Sequence, residues 1–210
     1  MTPTARGFLF PFSVTEGEDS LYQSLLQDSR YFDLLLRLDE DLAAEARRVG
    51  CGCGGALHSA RYERKPRGGP HGLGAESAVR FSFCCATEGC RRRVTPTSLR
   101  FLGRKVFFGV LVLLVPVLRD GPTPERLNRL RERFGMSART LRRWVRFWRE
   151  TFVTSRVWQG ARGRFVVPVG EEAMPGSLLG AFSGIHDTEC RVVAVLRLVS
   201  PIGTGRVQAF

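Results

Sequence analysis

Apolar and polar positions alternate with different periods along this chain, and the changes of period divide it. Leu21, Leu25, Phe32, Leu35, Leu36, Leu42, Ala43 and Ala46 recur at helical spacing. Ser20 is placed to cap them, so a helix running to about Arg48 is expected, packed through one stripe. The residues before it, 1–18, carry Pro3, Gly7, Pro11 and Gly17 around an apolar run and read as an extended arm. Past residue 50 the period shortens. Ala56 to Tyr62 and Val79 to Phe83 alternate as short half-exposed strands do, and the basic, Gly/Pro-rich stretch Arg64 to Gly74 joins them as a loop.

Helical spacing then returns. Leu102, Val106, Val110, Leu113 and Leu114 predict a helix starting near Ser98 and ending or kinking at Pro116. Thr123 with Pro124 opens a second helix that reaches Phe134, Gly135 turns the chain, and Ser137 caps a third that runs to about Thr151. Beyond it, glycines and prolines cut the sequence into short apolar pieces, of which Leu178 to Phe182 and Cys190 to Val199 are helical candidates.

Charge adds a division of its own. Residues 1–50 hold 5 basic against 9 acidic side chains, residues 51–150 hold 21 against 7, and residues 151–210 hold 6 against 4. The net charge of +12 therefore comes from the middle hundred residues, a distribution suited to a polyanion. Only two of the 32 basic residues are lysine, which a compositional bias toward arginine explains; the shortage of acids in the middle it does not. The longest apolar run, Val106 to Leu118, is about 13 residues and holds Pro116, short of the roughly 20 a bilayer span needs. No secretory signal is read at the N-terminus, so a cytoplasmic, nucleoid-associated location and no membrane partner are expected.

Five of the six cysteines fall in the same middle segment. Reduced thiols so clustered favour metal ligation over disulfides. Cys51 and Cys53 form one candidate knuckle, with Gly54 and Gly55 letting backbone N–H groups approach the sulfurs, and Cys85 and Cys90 form the other. Two such turns supply the four tetrahedral ligands of a structural Zn2+, which leaves no open position for a catalytic water. Cys84 is the alternate to Cys85. On a strand the two point to opposite faces, so only one can ligate, and the C-x4-C spacing favours Cys85. His58 reads as a surface residue or phosphate contact, and Cys190, with apolar neighbours, as a core residue.

The helices after the cysteines have a further logic. Leu127, Leu130 and Phe134 line one side of the first, while Met136, Leu141, Trp144, Val145 and Trp148 line the second across the Gly135 turn. Arg139, Thr140, Arg142, Arg143 and Arg146 then face outward, where a helix laid in the major groove meets base edges and phosphates. Arg91, Arg92, Arg93 and Arg104 are the expected phosphate contacts nearer the cysteines.

Phe81-Ser-Phe-Cys-Cys, Gly89-Cys90 with Arg91 to Arg93, Thr95-Pro96 and Ser98, followed by an expected apolar helix and a helix-turn-helix pattern, resemble a known arrangement. They are similar to the N-terminal zinc-ribbon plus helix-turn-helix module of bacterial insertion-sequence transposases, over about residues 51–150. The resemblance implies recognition of transposon-end DNA. It does not extend to a three-carboxylate catalytic domain: after residue 151 the acids are Glu171, Glu172, Asp187 and Glu189 alone. The expected architecture is mainly α with a small β zinc ribbon and a helix-turn-helix following it. It divides into an arm and acidic helix (1–50), the ribbon (51–97), the helical domain (98–151) and a C-terminal appendage (152–210). The expected role is double-stranded DNA binding without catalysis of its own, with a homo-oligomer or transposase subunit as further partners. The alternatives are a ribbon adaptor for protein or RNA, and a non-autonomous transposase subunit.

Overall fold

The computed structural model describes residues 22, 24–63, 72–102, 106–107, 112, 124–125, 128, 131–132 and 137–204, with backbone alone at 106–107 and 203–204. The described chain is mainly helical with small antiparallel sheets. Helix α1 spans Ser29–Val49, followed by the short strands β1 (Leu57–Ser59), β2 (Tyr62–Glu63), β3 (Val79–Arg80), β4 (Phe83–Cys85), β5 (Arg93–Val94), β6 (Phe101–Leu102) and β7 (Val106–Phe107). Helix α2 (Ala138–Arg146) continues as a π-helical turn, Phe147–Phe152, and α3 (Arg156–Ala161), α4 (Gly176–Ala181) and α5 (Thr188–Val199) complete the body.

The predicted N-terminal helix is interrupted: Tyr22, Ser24 and Leu25 are helical, and a turn at 26–28 separates them from α1. Gln27 and Asp28 donate to Ser24 and Leu25 carbonyls three residues back, which closes a tight turn, and the Asp28 side chain accepts from the Arg30 N–H to cap α1. The predicted cap Ser20 lies outside the described residues. Along α1 the buried positions are Tyr31, Phe32, Leu35, Asp39 and Ala43, one face at 3- and 4-residue steps.

A second difference concerns the segment after Ser98. Phe101–Leu102 pairs antiparallel with Val106–Phe107, so the segment opens as a β-hairpin rather than a helix. Aromatic and β-branched residues suit a strand, and apolar spacing over so few positions does not separate the two states. Val112 is helical and buried; the rest of the predicted helix lies outside the described residues.

Two apolar cores share α1. The larger draws on Tyr31, Phe32 and Leu35 of α1, Phe101, the α2 residues Leu141 and Trp144, then Trp148, Phe152 and Trp158, and the α5 residues Val192, Val195, Leu196 and Val199. Residues 152–199, read from sequence as an appendage, thus supply much of the central core. Trp148 and Phe152 meet edge to face at 4.7 Å, and the Trp158 indole N–H donates to Glu171 Oε1 at 2.6 Å, so the buried ring keeps a partner. The smaller core gathers Ala43, Cys51, Leu57, Phe81, Phe83 and Cys85.

A buried ion pair joins the two regions. Asp39 Oδ2 accepts from Arg100 Nε at 2.9 Å and from Ser98 Oγ at 2.5 Å, and Oδ1 accepts from the Leu99 N–H at 2.6 Å. Arg100 gives its remaining donors to the carbonyls of Glu76, Ser77 and Val79. A buried charge pair is tolerated when hydrogen bonds of this kind surround both of its groups.

Candidate metal centre and basic surfaces

Two turns bring four thiols together. In the first, at the end of α1, Cys51 N–H donates to Gly55 O at 3.1 Å and Gly54 N–H to Cys51 O at 2.8 Å. In the second, Cys90 and Arg91 N–H groups both donate to Thr87 O, and Cys85 N–H donates to Arg92 O at 2.9 Å. Gly54 at φ +82° and Gly89 at φ +83° take left-handed backbone that these turns require and other residues resist.

The ligand atoms of Cys51, Cys53, Cys85 and Cys90 all lie within 4.8 Å of one another. Cys51 Sγ is 3.8 Å from Cys90 Sγ, and Cys53 Sγ is 3.5 Å from Cys85 Sγ. A tetrahedral metal with bonds of ~2.3 Å sets its sulfurs about 3.8 Å apart. The residues present therefore fit a metal ion bound by four thiolates.

Their protonation is coupled. The Gly55 N–H, followed by the neighbouring thiols of Cys90, Cys85 and Cys51, draws Cys53 down to about 6. For Cys90 the Arg92 N–H favours the thiolate, but Cys53, burial, Cys51 and Cys85 together outweigh it and push the group up to about 11. Cys53 thus gives up its proton ahead of Cys90, and a cation bound between them would displace protons.

Cys84 stays apart. It lies on the opposite face of β4 from Cys85, half-buried, and its S–H donates to Arg91 O at 3.4 Å. His58 is exposed and also lies outside the group. Cys190, expected in the core, is instead exposed in the first turn of α5. The Asp187 cap starts that helix just before it and turns the apolar residues Val192, Val195, Leu196 and Val199 inward.

On α2, Ser137 caps the helix through the Thr140 N–H. Arg139, Arg142, Arg143 and Arg146 are exposed. At about 100° per residue they share one arc, with Leu141 and Trp144 opposite. Thr140 belongs to the other side: it is 8% exposed and its Oγ1 lies 3.1 Å from Ser137 Oγ, which corrects its sequence-based assignment as an outward contact. The hydroxyl is drawn into the cap. Arg91, Arg92 and Arg93 are exposed, and Arg104 lies outside the described residues.

Of the preceding helical segment, Pro124, Glu125, Asn128, Arg131 and Glu132 are helical and exposed, while Leu127, Leu130, Phe134, Gly135 and Met136 lie outside the described residues. Among the described residues, no helix is long and apolar enough to cross a membrane. No family model, curated protein or solved structure matches the chain.

Proposed function

We propose that the chain binds double-stranded DNA and that Cys51, Cys53, Cys85 and Cys90 hold a structural Zn2+ that orders its ribbon. Four thiolates favour zinc among the common metals and fill its tetrahedral shell, so the ion supplies folding energy rather than a reactive water. The observation that carries the DNA-binding reading is the α2 arc of Arg139, Arg142, Arg143 and Arg146. It is a capped helix with its apolar side anchored and four arginines turned outward. A helix presented in this way can enter the major groove, where arginine pairs bidentately with guanine.

The concentration of positive charge in residues 51–150 supports the same reading. The resemblance of that segment to the transposase module directs the choice of duplex DNA over other polyanions. Strand transfer is no part of the proposal.

Metal analysis of the reduced protein, followed by selection of bound duplexes from a random pool, tests both halves. One zinc per chain and an enriched motif are expected, with affinity falling steeply as salt rises. Arg139→Ala or Arg143→Ala is expected to cost about 1–3 kcal/mol against the selected site and to relax its sequence preference. Salt-independent binding, or none, would overturn the DNA reading; zinc without an enriched motif would favour a ribbon adaptor.

A further inference from the structure

The three-stranded sheet β1–β4–β5 has one face built into the smaller core and one turned away from it. Leu57, Phe83 and Cys85 are buried on the inner face. Across the strands His58 stands opposite Cys84, and Cys84 opposite Arg93. Directly opposed residues share a face, so these three form one row on the outer side. His58 and Arg93 are exposed and Cys84 is half-buried.

One observation shows that an arginine is held at this row, and a second places another arginine beside it. The Arg93 guanidinium lies 5.3 Å from the Tyr62 ring centre, a cation–π contact that restricts the side chain before any ligand arrives. Arg91, next to the row through the Cys84 S–H on its carbonyl, has φ +42°, a left-handed value at which arginine is strained and glycine is not. Its side chain is exposed and makes no ion pair with a described residue. The nearby acids do not neutralise the row. Glu63 follows Tyr62 on β2 and alternates to the other face, and Glu88 pairs with neither arginine.

Arg92 is different. Its Nη1 reaches back to the first cysteine turn, 3.7 Å from where a Gly52 Cβ would stand, and its carbonyl accepts from Cys85 N–H. Its own N–H faces the Cys90 sulfur. Four thiolates around a divalent cation leave two net negative charges, and the Arg92 guanidinium lies beside the turn that carries two of the four ligands. Three consecutive arginines thus divide between two tasks.

We infer that the outer face of this sheet, through Arg91, Arg93 and His58, is a second docking surface for the phosphate backbone of duplex DNA, separate from α2. Arg92 serves the thiolate cluster instead. The inference rests on the DNA-binding reading above. A duplex is favoured over a single strand because the row presents cationic donors and no free stacking platform, Tyr62 being covered by Arg93.

The test measures binding of the full-length, zinc-loaded protein to a duplex over a series of salt concentrations. Each phosphate contact contributes about 0.9 to the slope of log affinity against log salt. The R91G/R93A variant is expected to lower that slope by about 2 while keeping the wild-type zinc content, since glycine accepts the backbone at position 91. R91K/R93K is expected to return the slope, which a purely structural role would not produce. R92A is expected to leave the slope unchanged and to lose zinc to a chelator more readily. An unchanged slope in R91G/R93A, with R139A/R143A still weakening binding, would overturn this surface and leave the α2 reading standing. Absence of salt-dependent duplex binding by the wild type would overturn both. A loss confined to single-stranded RNA would overturn the duplex assignment.

Discussion

At Gly55 a hydrogen stands where any other residue would carry a carbon. An added Cβ would fall 2.8 Å from Cys85 Sγ and 3.3 Å from Cys53 Sγ, and closer still to Thr87 Oγ1. The same residue gives its N–H to Cys53. Gly55→Ala should therefore weaken metal retention by about fivefold or more in chelator competition, since overpacking at such a site costs about 1–3 kcal/mol. The two adjacent cysteines separate as cleanly. Cys85→Ser should weaken the thiolate-to-cobalt absorption of a Co2+-substituted protein by about a quarter or more, and Cys84→Ser should leave it unchanged. The C-x4-C spacing with strand alternation favours that choice from the sequence, because a two-residue period is a local property. No local signal marked Thr140 as inward: its hydroxyl is taken by the Ser137 cap, a contact that forms only once the helix does.

Among the elements, caps define where helices begin. Ser137→Ala should destabilise α2 by about 1 kcal/mol, seen as a lower thermal midpoint. Asp187 caps α5, and the Cys190 N–H, first among its partners, holds its carboxyl below the usual carboxylate value of 3.8. A depressed folded-state value means the charged cap stabilises above the unfolded value, and that its contribution is lost as pH falls through the folded one. The stability gap between wild type and Asp187→Ala should accordingly be larger at pH 7 than at pH 3, measured by denaturant unfolding. The Ser137 cap of α2 is legible in the sequence, and the apolar pieces 178–182 and 190–199 mark α4 and α5 in outline without their starts. The β6–β7 hairpin is not legible, because Phe101, Leu102, Val106 and Phe107 satisfy a helical spacing as well as a strand pair.

Across the whole molecule, α1 is the shared wall. Its N-terminal half packs into the larger core, Ala43 and the end of the helix pack on the cysteine turns, and Asp39 between them binds Arg100. Asp39→Asn would leave that guanidinium buried without its counter-charge. A loss of about 3–5 kcal/mol is expected, read as a lower denaturant midpoint at unchanged slope. The sequence by itself determined what depends on near neighbours: the period of each segment, the cap residues, the concentration of positive charge, and the two short cysteine turns taken singly. Tertiary structure alone decided what depends on residues far apart. Asp39 and Arg100 are 61 positions apart and neither carries a pattern that names the other. Residues read as an appendage close the central core because their apolar faces are completed by α1 and α2, not by their own neighbours. The three arginines after Cys90 are identical in sequence; only the fold sets Arg93 opposite Cys84, gives Arg91 a left-handed backbone and brings the Arg92 guanidinium to the Gly52 turn.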